Sequence, residues 1–286
     1  IAQLFQKGTQ VLSDKRPIGV FDSGIGGITV LKALRKRLPH ENLVYLGDMA
    51  RLPYGTKSAE TVTAYSLQTT KHLLTHDVKM IVIACNTASS VALEPLKKAL
   101  APLPVIGVIE PGAQAAVAAS KTGQIAVLAT EATVRVGAYV RAIHKLAPKA
   151  HVVQEPCGLF VTLAEEGWVS GDVVEATARR YLTPLFKRKT TSPDTIVLGC
   201  THFPVLARTI RRVVGRDVKL VDSAETTARA VEAALQAGGL ETNRKSQGKT
   251  KFLATDSAER FARVGGIFFG EVIRPKDVEI IDLQFG

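Results

Sequence analysis

Short apolar runs alternate with longer stretches in which apolar positions recur every three or four residues. The runs fall at 18–21, 43–46, 80–84, 105–109, 125–128, 196–198 and 220–221, with weaker ones at 151–153, 251–254 and 279–283. They are short and β-branched, and small or polar residues follow them. Strands buried on both faces of a parallel sheet read this way. The longer stretches, at 28–38, 59–76, 89–100, 113–120, 133–146, 171–187, 205–214 and 224–237, predict helices. The alternation predicts an α/β fold with helices on both faces of each sheet.

The pattern also repeats. IGVFDSG at 18–24 has a counterpart in IAVLATE at 125–131, and IVIACNTA at 81–88 has one in TIVLGCTHF at 195–203. VIGVIEP at 105–111 is matched by KLVDSAE at 219–225. Three strand ends thus recur in the same order, which predicts two similar α/β domains facing each other. The first is expected to comprise 1–110 and 223–286 and to carry Cys85; the second, 111–222, carries Cys200. The last residues are too few to fold alone, so they are expected to return to the first domain. Residues 239–251 are polar and contain glycine, and predict an exposed loop.

Composition narrows the class. The chain has 286 residues, 46% of them apolar and 22% charged, which excludes a disordered chain. Three cysteines are too few for a disulfide scaffold. The longest apolar stretch, near 105–119, is cut by Glu110, Pro111 and Gln114, so no membrane span is expected. No leader pattern opens the sequence, and a cytoplasmic location is expected. The net charge of +11 admits nucleic acid, an acidic surface or an anionic small molecule as partner. Its clusters, Lys32/Arg35/Lys36/Arg37, Lys187/Arg188/Lys189 and Arg208/Arg211/Arg212, fall on or beside amphipathic helices. They lack interleaved aromatics and match no binding motif, so nucleic acid is not the expected partner.

In open α/β sheets ligands bind outside the carboxyl ends of the strands. That rule selects Asp22, Ser23, Gly24, Gly26 and Gly27; Cys85, Asn86 and Thr87; Thr130 and Thr133; and Cys200, Thr201 and His202. DSGIGG is neither GxGxxG nor a P-loop. It would cradle a phosphate, or bind a carboxylate while Asp22 handles a proton or an ammonium group. The two cysteines occupy matched strand ends. A helix is expected directly after each, with a dipole that draws a thiol pKa from about 8.5 toward neutral. There is no CxxC and only one adjacent histidine, so no metal site is expected. A Cys200–His202 hydrolase pair leaves Cys85 without a role. Two mirrored thiols suit inversion of a stereocentre, where one group removes a proton from one face and another returns one to the opposite face. Cys157 has no counterpart and reads as structural.

FDSGIGG at 21–27, PYG at 53–55, ACNTAS at 84–89 and GCTHFP at 199–204 together resemble the glutamate racemases, in their order and spacing, from about Pro17 to Leu283. The resemblance implies two pseudo-symmetric, doubly wound parallel-sheet domains with the active site in the cleft between them. It implies cofactor-independent interconversion of L- and D-glutamate, supplying D-glutamate for bacterial peptidoglycan. Cys85 and Cys200 would be the catalytic thiols. Asp22 would assist Cys85 and, with Ser23, contact substrate. Tyr54 and Gly55 match the substrate loop, and Asn86, Thr87 and Thr201 would hold the carboxylates and amino group. His202 would assist Cys200 and contact substrate, with Glu165 as its acidic helper. Thr133 matches a substrate threonine, although Ala132 stands where the family usually has glycine. The resemblance implies no cofactor and no metal, and admits a homodimer. Some members with an N-terminal extension are activated by an anionic peptidoglycan nucleotide precursor, and about 16 residues precede the first strand here. Aspartate racemases tend to carry Glu after the second CT and lack the DSG start; His202 and Asp22–Ser23–Gly24 favour glutamate. Related decarboxylases keep a single cysteine.

Overall fold

The computed structural model describes residues 13–283, so most of the N-terminal extension lies outside the described residues. Among the described residues ten strands form two sheets. β1 (Ile18–Asp22), β2 (Leu43–Gly47), β3 (Met80–Ile83), β4 (Val105–Gly107), β9 (Thr250–Ala254) and β10 (Val278–Ile280) make one, in the order β10-β9-β2-β1-β3-β4. β5 (Gln124–Ala129), β6 (His151–Pro156), β7 (Thr195–Gly199) and β8 (Lys219–Asp222) make the other, in the order β6-β5-β7-β8. Every pairing is parallel. The order β2-β1-β3-β4 is the order β6-β5-β7-β8 shifted along the chain, so the sequence repeat is a repeat of topology. The chain is two pseudo-symmetric parallel-sheet α/β domains.

The strands are apolar on both faces because helices cover both faces. Successive side chains of β1 point opposite ways: Ile18 and Val20 join one core cluster, Phe21 the other. The first cluster is closed by α1 (Ile28–Arg37), α10 (Ser223–Gly238) and α11 (Ala258–Phe269). The second is closed by α2 (Ala59–Leu74) and α3 (Asn86–Leu100). In the other sheet, Leu128 and Leu198 pack with α7 (Gly158–Glu165), α8 (Asp172–Leu182) and α9 (Ala207–Val214). Val127 and Val197 pack on the opposite face with α4 (Ile109–Ala119) and α6 (Ala138–Leu146).

Some elements depart from the sequence expectation. The apolar run at 105–109 ends as a strand at Gly107, and Ile109 already begins α4. The single helix expected over 133–146 is broken into α5 (Glu131–Val136) and α6 by Gly137 at φ +67°, a left-handed conformation that costs glycine little. The stretch at 171–187 leaves the α-helix after Leu182 and tightens into a 3-10 turn carrying Pro184. α7 and α11 occupy stretches where no helix was expected. Among the described residues no helix is long and apolar enough to cross a membrane.

Candidate active site

The loops after β1, β3, β5 and β7 converge on one narrow cavity of ≈ 30 Å³. Ser23 and Gly24 reach it from β1; Cys85, Asn86 and Thr87 from β3; Thr130 from β5; and Cys200, Thr201 and His202 from β7. Tyr54 and Gly55 enter from the segment between β2 and α2, and Glu165 from the end of α7. Two expected site residues stand behind the wall. Asp22 is fully buried beneath the β1 loop, and Thr133 sits beneath Thr87 and Thr130.

Cys85 closes the N-terminus of α3. Its Sγ accepts the Ala88 N–H at 3.5 Å and faces Ser23 Oγ at 3.6 Å. The helix end does not bring the thiol toward neutrality as expected. Burial, followed by the charge of Asp22, pushes Cys85 up to about 12 and outweighs the Ala88 N–H. Asp22 accepts the Gly24 N–H at 3.0 Å and the Thr201 hydroxyl at 3.3 Å, and burial raises its carboxyl above the usual range. Tyr45 Oη donates to Gly24 O at 2.8 Å and pins the same loop from below.

Cys200 sits in a different setting. No α-helix follows it directly; a 3-10 turn, Phe203–Leu206, intervenes before α9, because Pro204 begins a tight turn there. Its Sγ lies 3.7 Å from His202 Nδ1. His202 Nε2 is 2.6 Å from Glu165 Oε1, and Arg260 Nη2 donates to Glu165 Oε2 at 3.0 Å. Burial, the largest single influence, acts to keep His202 neutral. The bonds to Cys200 and Glu165 overcome it and raise His202 to about 10. Burial also opposes the charge on Glu165, but His202 and Arg260 hold it below the usual carboxylate range. Phe268 packs edge-on against the imidazole, ring centroids 5.5 Å apart. Both Arg260 and Phe268 belong to α11. The spacing of Phe261, Val264, Gly265 and Phe268 on one face is the sequence signal for that helix.

The remaining wall is polar. The hydroxyls of Thr87, Thr130 and Thr133 lie 3.0–3.2 Å from one another in a ring. Asn86 Oδ1 accepts from Tyr139 Oη at 2.7 Å, while its buried Nδ2 has no partner. Glycines allow the loops this closeness. A Cβ on Gly26 would lie 2.5 Å from Thr201 Oγ1, and one on Gly55 2.7 Å from Thr130 Cβ. Among the described residues no three His, Cys, Asp or Glu side chains are grouped to hold a metal ion.

A buried acid, two thiols, a histidine held by that acid and the unpaired amide of Asn86 around one cavity can move protons and hold carboxylates. Known proteins share this architecture. The chain is 50% identical over 255 residues to a glutamate racemase of Geobacter metallireducens, covering 89% of this chain and 93% of that one. A crystal structure of glutamate racemase from Francisella tularensis in complex with D-glutamate superposes with a TM-score of 0.87 at 39% identity, covering 95% of this chain and 99% of the other. Glutamate racemase from Escherichia coli, in complex with L-glutamate and the activator UDP-MurNAc-Ala, superposes with a TM-score of 0.74 at 28% identity over 93% and 98%. The model of the Asp/Glu/Hydantoin racemase family matches residues 28–231, and with that match and those relatives the chain belongs to this family of racemases.

Proposed function

We propose that this chain interconverts L- and D-glutamate by a two-cysteine proton transfer without a cofactor. The observation that carries the reading is the pair of thiols at equivalent ends of β3 and β7, facing one cavity from two domains. In one direction the thiolate of one cysteine takes the Cα proton, and the thiol of the other gives a proton to the opposite face. The first ends as a thiol and the second as a thiolate, and the reverse reaction exchanges the roles. The Cα–H is a weak acid, so charge developing on the α-carboxylate needs fixed donors. Asn86, with its unpartnered Nδ2, and the hydroxyl residues Ser23 and Thr87 line the cavity and supply such donors, while Thr201 beside them is held by Asp22. His202, held by Glu165, serves Cys200; Asp22 serves Cys85 from behind the wall and acts on the substrate ammonium through the β1 loop and Thr201, which it holds. Tyr54, Gly55 and Thr133 shape the end that receives the side-chain carboxylate.

The same reading assigns 1–110 with 223–286 to one domain and 111–222 to the other. Sheet membership supports it: β1 to β4, β9 and β10 share one sheet, β5 to β8 the other. The first crossing then falls within α4 and the second at the junction of β8 and α10. Supply of D-glutamate to peptidoglycan, in the cytoplasm, follows as the physiological role. The net charge of +11 suits a dicarboxylate substrate, and an anionic nucleotide precursor such as that bound to the E. coli enzyme is a candidate activator.

The test is incubation of the purified protein with L-glutamate in D2O without added cofactor. Loss of circular dichroism together with deuterium at Cα is expected. Exchange with aspartate and none with glutamate would transfer the assignment to the sister activity; exchange with neither would end it.

A further inference from the structure

Behind the Tyr54–Gly55 segment lies a buried polar cluster that the proton transfer does not use. Asp48 follows β2, is fully buried and does not line the cavity. Its Oδ2 accepts hydrogen bonds from Tyr54 Oη and, at 2.7 Å, from Arg51 Nε. Its Oδ1 accepts from Thr255 Oγ1 at 3.1 Å, and that same Oγ1 accepts the Ala50 N–H at 2.9 Å. Arg51 lies 4.2 Å over the ring of Tyr65 and donates from Nη1 to Gln68, both on α2. The segment is therefore held from β2, from α2 and from the chain just after β9.

Both Asp48 oxygens are engaged, by a guanidinium and two hydroxyls, which leaves no carboxylate edge for a reacting group. Burial and then the neighbouring Asp48 charge keep the Tyr54 phenol protonated, as a donor. With its hydroxyl fixed at the back, the Tyr54 ring has one place to lie, and the backbone of Gly55 is pressed against Thr130 across the cleft.

We propose that Asp48, with Arg51 and Thr255, is a positioning device for the Tyr54–Gly55 segment: it sets the affinity for the amino acid and takes no part in proton transfer. The proposal rests on the glutamate reading above. Thr255 lies beyond the stretch that the family model matches.

The experiment compares wild type with Asp48→Asn, Tyr54→Phe, Thr255→Val and the Asp48→Asn/Tyr54→Phe pair. Racemisation of L- and D-glutamate gives KM, kcat and the pH profile. Amide hydrogen exchange over residues 49–57, without substrate, reports the segment directly. KM is expected to rise about three- to tenfold with kcat within about twofold and an unmoved pH profile. The paired variant is expected to fall short of the sum of its single members, because both changes act on the one Asp48–Tyr54 bond. Exchange over 49–57 is expected to quicken about tenfold. A fall in kcat at unchanged KM, or a displaced pH profile, would overturn the proposal, as would folded variants with wild-type KM and exchange. If Asp48→Asn does not fold, Thr255→Val carries the same comparison. If wild type does not racemise glutamate, that reading falls on its own, and unchanged exchange in the variants then overturns the positioning role.

Discussion

At the scale of single residues the two thiols are chemically unlike despite their matched positions. Cys85 is buried against Asp22 and pushed up to about 12, so it rests as a thiol. Cys200 instead faces a histidine raised to about 10 by its bonds to Cys200 and Glu165, despite burial. Either Cys85→Ser or Cys200→Ser is expected to reduce racemisation in both directions by about 10²- to 10⁴-fold while the fold persists, measured by circular dichroism of glutamate. Full activity in either variant would end the two-base scheme. The Glu165–His202 pair has a pH signature. A histidine raised from 6.5 to about 10 contributes stability that is fully present below 6.5 and lost as pH rises through about 10. Glu165, lowered, contributes stability that is present above its usual range and lost in acid. Glu165→Gln is expected to cost about 3 kcal/mol near pH 7, since it leaves His202 buried without its partner. Urea unfolding should show the gap from wild type shrinking as pH rises through about 10; a gap constant with pH would contradict the pairing.

At the scale of elements, the β1–α1 loop is the tightest part of the site. A Cβ on Gly26 would meet Thr201 Oγ1 at 2.5 Å and His202 Nδ1 at 2.6 Å, groups from the opposite domain. Gly26→Ala is expected to lower kcat/KM about 100-fold while costing only about 1–2 kcal/mol of stability, because the loop can yield only by spreading the two domains. Activity near wild type would show that the loop adjusts within one domain. The loop's place at the site was legible in the sequence, since DSGIGG at a strand end is a local signal. So was the pair of parallel-sheet domains, because buried parallel strands are unbroken apolar runs and the strand ends repeat. The backing of the site was not. Phe268 reaches His202, and Arg260 reaches Glu165, from α11, whose RFARVGGIFF stretch carries two glycines that weaken its helical signal. Asp48 is an acid beside a turn, and nothing local shows that it meets Thr255, 207 residues along the chain. The thiol of Cys85 departed from expectation for a similar reason: a helix N-terminus is visible in sequence, whereas the burial that overrides it is not.

At the scale of the whole molecule, the cavity between the domains is too small for its proposed occupant. A volume of ≈ 30 Å³ has room for about two waters. A five-carbon amino dicarboxylate is several times larger, so the cleft must widen before substrate reaches both thiols. Among the contacts that cross from one domain to the other and resist widening are Tyr139 to Asn86 at 2.7 Å, Thr87 to Thr130 at 3.0 Å and Arg260 to Glu165 at 3.0 Å. The chain's single tryptophan reports on them. Trp168 lies just beyond Glu165 and is 54% exposed; its neighbour Gly167 lies against Ile267 of α11, so the turn rides on the domain boundary. Glutamate is therefore expected to change Trp168 fluorescence, and the rate in stopped-flow mixing should reach a plateau with concentration, set by opening rather than by collision. Arg260→Met removes one of the cross-domain bonds and is expected to raise that plateau about three- to tenfold. A rate that climbs linearly without limit in wild type would mean that the cleft already stands open in solution, and the three contacts would then be features of the closed form alone.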